Sequence, residues 1–317
     1  MHKLPAMRAH YLVCVVFSLI ACGPRTPPAT TVLPEVPEGA EAVSLFGKPL
    51  LPAAAYAASE ETYQEKKSAV TADPGDADKW IWYGRWAGYA GHYREAIRIY
   101  SEAMQQFPED ARLFRHRGHR YLSIRALDAA IADFEKAAQL TAGKPDEIEP
   151  DGQPNAQGIP TSTLQGNIWY HLGLAHYLKN DLEKARQAYE KGLAISTTDD
   201  MRVAFLHWQY MTLRRLGQTE AAQQAVTVVS DSLNIIENFA YHKLCLLYKG
   251  ELQAEELTSG SFSDIMNDAA IYGVGNWYHY NGDTAQAFAT YRGLLDGKSW
   301  ASFGYIAAEA DLARAGF

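Results

Sequence analysis

The chain has 317 residues, of which 47% are hydrophobic and 21% charged, and its formal net charge is -8. This is the composition of a globular protein with a sizeable core, and the acidic balance does not indicate a nucleic-acid partner, which would favour a basic face. Two of the three cysteines, Cys14 and Cys22, lie near the N-terminus, so after processing there Cys245 would be the only internal thiol and no disulfide framework could form within the chain.

The first segment of the chain is predicted to be a signal peptide, residues 1–21. Lys3 and Arg8 precede an apolar stretch that is too short to span a bilayer as a mature helix. It ends in Leu-Ile-Ala-Cys at positions 19–22, followed by Gly23, which resembles the lipobox of bacterial lipoproteins. The resemblance implies cleavage before Cys22, acylation of that cysteine and lasting attachment to a membrane. The alternative is an ordinary signal peptide with a chance cysteine.

The residue after Cys22 also indicates whether the inner or the outer membrane is expected. In enterobacterial lipoproteins an Asp after the cysteine favours the inner membrane, and this chain has Gly23 there. The resemblance therefore favours a lipid anchor in the outer membrane, facing the periplasm. Residues 22–52 contain five prolines between positions 24 and 37, which favour an extended polyproline conformation and predict a flexible tether.

Residues 53–317 show a repeated pattern that resembles the tetratricopeptide repeat (TPR), a helix–turn–helix unit of 34 residues. Trp80, Gly84 and Ala96 begin the first full copy, and Phe114, Gly118 and Ala130 recur 34 residues later. The spacing predicts an all-α, right-handed TPR superhelix. The expected units are repeats near 77–110, 111–144, 166–199, 203–236 and 268–301, a degenerate pair at 237–258 and a capping helix at 300–315.

Small residues recur at fixed positions of this pattern. The glycines at positions 84, 118, 173 and 275 are predicted to lie where the first helix of a repeat meets the second, because a side chain there would hold the two backbones apart. The alanines at 96, 130, 185 and 287 would serve the same contact from the second helix, and large aromatic residues would fill the space between repeats.

An insertion at 143–162 interrupts the array. It contains four prolines and four acidic residues, so no helix can run through it. A loop of this length inside a compact array is usually either functional or disordered. Two roles stay open for it: its acidic part, Asp146 to Asp151, covers the basic residues of the neighbouring repeats, or it forms part of a binding site.

The TPR register also predicts a concave binding surface on the first helices of the repeats. Its basic and aromatic residues stand out in an acidic chain and are types that anchor protein interfaces, so an acidic ligand is expected. The alternatives are packing against a neighbouring repeat, or binding by the convex face. The predicted surface comprises Arg85, Tyr89, Arg112, Arg115, His119, Asn167, Tyr170, Tyr177, His207, Arg214, Arg215, Tyr272, Asn276, His279 and Tyr280.

No catalytic, metal-binding or cofactor-binding constellation is predicted. His116 and His119 are three residues apart on one helix, but no third ligand stands at a recognisable spacing and the neighbouring arginines would repel a cation. The nucleophile-elbow, phosphate-loop and zinc-protease motifs are absent from the sequence. Cys245 lies in an apolar run and is interpreted as a buried small hydrophobe.

The degenerate pair adds a second resemblance. An acylated N-terminus, TPR units and a broken pair such as 246–252, followed by a good repeat and a final helix, are similar to the architecture of NlpI-type lipoproteins, which bring a protease and peptidoglycan hydrolases together. The resemblance implies an envelope adaptor whose partners are other envelope proteins and the membrane, with self-association left open. The alternative function is a structural part of an outer-membrane assembly or secretion machine.

Overall fold

The computed structural model describes residues 33–52, 59–258 and 266–317. The predicted signal peptide and Cys22 lie outside these ranges. Among the residues described, no helix is both long enough and apolar enough to cross a membrane. The elements are β1 (Ala42–Val43), β2 (Pro49–Leu50), α1 (Glu60–Ala72), α2 (Ala77–Tyr89), α3 (Tyr93–Gln106), α4 (Ala111–Ser123), α5 (Leu127–Thr141), α6 (Leu164–Leu178), α7 (Leu182–Ala194), α8 (Asp199–Arg215), α9 (Thr219–Val226), α10 (Phe239–Lys249), α11 (Ala254–Thr258), α12 (Asp268–Tyr280), α13 (Thr284–Leu295) and α14 (Phe303–Arg314).

Helices α2 to α13 form six antiparallel hairpins in chain order, each packed on the next, which makes the chain a TPR-type helical solenoid as the repeat spacing predicts. Several first helices start at a residue whose side chain accepts a hydrogen bond from a backbone N–H of the first turn. These N-cap residues are Asp76, Asp110, Thr163, Thr198 and Asn267.

The turn inside each hairpin uses one backbone conformation. One residue just after the first helix has a positive φ, which ends the helix in the left-handed conformation and usually selects glycine or asparagine. Arg125, with φ of 65°, stands at this position in the second hairpin although it is neither. The other five residues of the series are Gly91, Asn180, Gly217, Gly250 and Gly282.

The repeat glycines accommodate aromatic rings rather than a close approach of two backbones. A Cβ atom added to Gly118 would lie 2.8 Å from Cε1 of Phe134 on the second helix of the same hairpin. Gly84, Gly173 and Gly275 face Tyr100, Tyr189 and Tyr291 in the same way. This corrects the predicted contact, because the large residue of the second helix fills the space that the absent side chain leaves.

The fourth and fifth hairpins have short second helices, α9 with 8 residues and α11 with 5. The link between α9 and α10 is held by Asp200, which is fully buried at the start of α8. Its carboxylate accepts hydrogen bonds from the backbone N–H groups of Ile236, Glu237 and Asn238 at 2.7–2.9 Å. Cys245 is buried on α10, as expected of a small hydrophobe.

Residues 33–52 are not a flexible tether, which corrects part of the predicted linker. Strands β1 and β2 form a short hairpin whose Ala42 and Leu50 are 1% and 3% exposed. The carboxylate of Glu41 accepts a hydrogen bond from the backbone of Arg94 at 2.7 Å. The prolines of this segment do not prevent its packing, because apolar residues on one side of the hairpin join the core.

The last helix closes the array onto its own early part. Glu309 of α14 is fully buried and its carboxylate forms an ion pair of 2.9 Å with Arg125 in the turn between α4 and α5. The same carboxylate accepts a hydrogen bond from the backbone of Leu45 in the N-terminal hairpin at 3.1 Å. The guanidinium of Arg125 also donates to the carbonyl of Trp300. Helix α14 is therefore a cap with contacts far from its own repeat.

Candidate binding groove

The first helices of the repeats line a groove, here called the central groove, which consists of two adjoining cavities of about 250 and 500 Å³. Tyr241 of α10 and Phe303 of α14 border both cavities. Tyr170 and Phe205 add aromatic surface from α6 and α8. The remaining lining is mostly polar and includes Asn167, Glu237, Asn238, Asn267, Asp268, Ser299 and Ser302.

The aromatic wall of the central groove is held in place by contacts behind it. The hydroxyl of Tyr170 receives a hydrogen bond from the indole N–H of Trp208 at 2.7 Å and lies 3.2 Å from the hydroxyl of Tyr241. The ring of Phe303 packs edge-on against His171, with the two centroids 5.4 Å apart. These contacts preorganise an apolar surface, which reduces the entropy that a ligand would lose on binding.

The insertion covers the basic end of the predicted surface. Glu149 forms an ion pair of 2.9 Å with Arg115, and these side chains are only 9% and 8% exposed. The guanidinium of Arg85 donates to the carbonyl of Pro150 at 2.6 Å. Two roles were considered for the insertion, and the contact required by the first of them is present: its acidic part covers basic residues of the first repeats.

The insertion is fastened at both of its ends. The carboxylate of Asp146 accepts hydrogen bonds from the hydroxyl of Thr163 and the backbone N–H of Gln165. At the other end, the hydroxyl of Thr161 donates a hydrogen bond to the carboxylate of Glu237. The backbone carbonyl of Thr161 accepts a hydrogen bond from the hydroxyl of Thr198. The loop is therefore an ordered wall between the basic residues and the central groove.

The histidines at this end are neutral. Burial lowers the pKa of His116 and of His119 well below the ordinary histidine value, and the neighbouring Arg115 and Arg120 lower it further. Burial also raises the pKa of Glu149, against the opposing charge of Arg115. The cationic character of this region at neutral pH therefore comes from its arginines alone.

Five of the predicted surface residues come together around the insertion and the central groove: Arg85, Tyr89, Arg115, His119 and Asn167 line one cavity beneath the insertion. His119 and Asn167 also reach the central groove, where Tyr170 joins them. Arg112 lies apart, since its guanidinium pairs with Asp78 and Asp110 at the edge of the array.

Several other predicted surface residues are covered by the chain itself. Tyr177, Tyr272 and Asn276 are fully buried. The hydroxyl of Tyr177 accepts a hydrogen bond from Asn276, and that of Tyr272 donates to Asp311 on α14. Asp311 also pairs with Arg215. The prediction that these residues face a ligand is wrong, because the capping helix occupies the surface that an open TPR array would leave free.

His207 is also fully buried, between the ring of Tyr241 and the hydroxyl of Tyr248 at 2.9 Å. Its placement on the predicted surface is corrected, and burial lowers its pKa to about 3. Arg214, His279 and Tyr280 border a separate cavity of about 500 Å³ at the ends of α8, α12 and α14. There the guanidinium of Arg214 stacks on the ring of Tyr280 and is hydrogen-bonded to Tyr210.

Tyr241, Phe303 and Arg120 border the cavities but were not among the predicted surface residues. Tyr241 lies in the degenerate pair, where the repeat register is hard to follow, and Phe303 belongs to the cap. Arg120 could have been found from its helix, since four arginines fall within α4. In the ranges that the structure describes, no group of three His, Cys, Asp or Glu side chains could hold a metal ion.

Residues 166–199 match the family model described as tetratricopeptide repeat, and this segment contains α6 and α7. No curated protein matches the sequence. Among solved structures, YrrB, described as a TPR protein with an unusual peptide-binding site, is 15% identical with a TM-score of 0.42, over 79% of this chain and 97% of that one. PilW, described as a type IV pilus biogenesis factor, is 14% identical with a TM-score of 0.44, and the match covers 78% of this chain and 89% of that one. A chain of the Cut9–Hcn1 assembly is 16% identical with a TM-score of 0.46, and the match covers 81% of this chain and 40% of that one.

Proposed function

We propose that this TPR-type solenoid is a non-catalytic scaffold that binds a protein partner in the central groove and is anchored by an acylated Cys22 at a membrane of the bacterial cell envelope. Tetratricopeptide repeats mediate protein–protein interactions, which supports the binding role. The order of residues around Cys22 supports the anchor. An outer-membrane position facing the periplasm fits Gly23 after the cysteine.

The observation that carries the binding role is the composition of the central groove. Tyr170, Tyr241 and Phe303 present aromatic surface in a concave wall, and polar side chains from the segments that lead into α10, α12 and α14 surround it. Aromatic anchors in a desolvated centre with a polar rim are typical of protein interfaces. A segment of a partner that carries one apolar side chain fits this arrangement.

The insertion restricts where such a partner binds. Because Glu149 pairs with Arg115 and the carbonyl of Pro150 accepts a hydrogen bond from Arg85, the insertion covers the basic end and it is not open to a protein chain in this conformation. The partner would therefore enter over Phe303 and Tyr241, on the side of the groove bordered by Ser299 and Asn267.

A pair of adjacent substitutions tests the groove. Ser299→Trp would fill the cavity from its exposed rim, whereas Lys298→Trp adds the same side chain at a neighbouring exposed position that does not border the cavity. In quantitative pull-downs from solubilised envelopes, we expect Ser299→Trp to lower partner recovery at least about tenfold, with Lys298→Trp resembling the parent chain. Equal recovery by both variants would rule out this groove.

The anchor is tested by Cys22→Ser. Loss of the acylated sulfur should release the protein from sedimented membranes at high salt, or leave it unprocessed, because acyl chains and not charge hold it there. A variant that matures normally and still sediments would rule out the lipid anchor.

A further inference from the structure

The cavity beneath the insertion has a volume of about 180 Å³ and lies between helices α2, α4 and α6. Its walls include the guanidinium groups of Arg85, Arg115 and Arg120 together with the ring of His116. The insertion contributes Glu149 and Asp151 to the same walls. The cavity is separate from the aromatic wall of the central groove, although His119 and Asn167 border both.

The hydrogen-bond donors of this cavity are not all used. Arg115 is 6% exposed, and its Nε atom is buried without a hydrogen-bond partner. A buried donor without a partner costs free energy unless water or a ligand satisfies it. The guanidinium of Arg120 stacks on the ring of Tyr93 and makes no ion pair or hydrogen bond with the part of the chain that the structure describes.

His116 adds a further donor to the cavity. Its Nδ1 atom lies 3.0 Å from Nη1 of Arg115, and an arginine can only donate, so Nδ1 accepts. The single proton of the neutral ring is therefore on Nε2. The ring is fixed by stacking on Tyr100, whose side chain borders the same cavity.

Acceptors in the cavity are fewer than donors. One carboxylate oxygen of Glu149 pairs with Arg115, and the other, Oε2, is buried without a hydrogen-bond partner. The exposed Asp151 accepts a hydrogen bond from Gln153 within its own loop. Arg85 already donates hydrogen bonds to the carbonyl of Pro150 and the hydroxyl of Tyr89, which use two of its five N–H groups. Three guanidinium groups and two carboxylates leave the cavity with a positive balance, since His116 and His119 are neutral.

We propose that this cavity is a binding site for a compact free oxyanion of the size of phosphate or a small carboxylate, held by Nε of Arg115, the guanidinium of Arg120 and Nε2 of His116. Planar guanidinium groups suit such anions because they donate in a fixed fork. The site does not depend on the binding of a protein partner in the central groove.

Titration calorimetry of the purified full-length chain with inorganic phosphate tests this site, at constant ionic strength set with chloride. The parent chain is expected to bind one phosphate per chain. Arg120→Gln should weaken binding at least about tenfold, the effect of losing a charge-assisted hydrogen bond. Arg98→Gln is the matched control, because Arg98 is exposed on α3 and pairs with Glu95 and Glu102 away from the cavity.

Glu149→Gln tests the same site in the opposite direction. Removing the carboxylate that occupies Arg115 should tighten phosphate binding, and phosphate should raise the melting temperature of this variant more than that of the parent chain. Thermal unfolding without phosphate verifies that each variant is folded. If Arg120→Gln does not fold, a folded His116→Phe variant takes its place in the titration.

Three results would overturn the proposal. The first is that phosphate and acetate give no heat of binding and no shift in melting temperature beyond those that chloride gives. Another is equal affinity in the parent chain and a folded Arg120→Gln or His116→Phe variant. The third is binding of an acidic peptide without any binding of the free anions, which would assign the cavity to partner docking. None of these bears on the Ser299→Trp test of the central groove.

Discussion

At the scale of single residues, the repeat glycines show how the hairpins hold together. Gly118 leaves the space that the ring of Phe134 fills, and Phe134 is fully buried. The fixed glycine positions could be predicted from the sequence. The ring that each glycine meets could not, because spacing along the chain does not reveal which side chain of the second helix turns inward.

Gly118→Ala is therefore expected to lower the free energy of unfolding by about 1–3 kcal/mol, the usual cost of overpacking a core. Gly293→Ala is the control, because a Cβ on this exposed helical glycine of α13 would meet no atom within 4 Å. It should raise stability by about 0.5–1 kcal/mol through the higher helix propensity of alanine. Urea unfolding of both variants gives the comparison, and equal effects of the two substitutions would contradict this packing.

At the scale of elements, the sequence predicts the hairpins well and the segments between them poorly. The repeat pattern locates α2 to α7 because every copy has the same small and aromatic positions. Residues 33–52 and the insertion have no such spacing. Their order depends on partners distant in the chain, such as Arg94 for Glu41 and Arg115 for Glu149, which no local pattern indicates.

The link between α9 and α10 provides a test at this scale. Asp200→Ala would leave three backbone N–H groups at 236–238 without their acceptor, and we expect a loss of about 3 kcal/mol or more in the free energy of unfolding. Asp199→Ala removes a neighbouring, more exposed carboxylate that accepts from Asn234, and should cost less than about 1 kcal/mol. If chemical denaturation gives similar losses for both, Asp200 does not hold this link.

At the scale of the whole molecule, the closure by α14 explains why the predicted binding surface is only partly available. TPR register identifies inward-facing positions, but it does not show that the cap returns over them. Tyr177, Tyr272 and Asn276 therefore face Arg215 and Asp311 rather than a ligand. The surface that stays open is the central groove, where the cap ends at Phe303.

Arg125 links the cap to the turn between α4 and α5 through its ion pair with Glu309. Arg125→Gly would suit the positive φ of the turn but would leave Glu309 buried without its counter-ion, and we expect a loss of about 3–5 kcal/mol in stability. Asn180→Gly makes the matching change in the next hairpin, where the residue also has a positive φ, and should alter stability by less than about 1 kcal/mol. Thermal unfolding followed by circular dichroism measures both; a loss limited to that of Asn180→Gly would mean that the ion pair is not required.

Site-specific photo-crosslinking in living cells tests the central claim, that this chain is a scaffold whose central groove binds a protein partner. A photoreactive amino acid is placed either at Ser299, on the exposed rim of the groove, or at Gln187, exposed on the second helix α7 and not among the groove residues. The account predicts a discrete crosslinked protein from position 299, its loss in the presence of excess unlabelled chain, and no such product from position 187. Crosslinking of the same protein from position 187 alone, or from both positions equally, would contradict it.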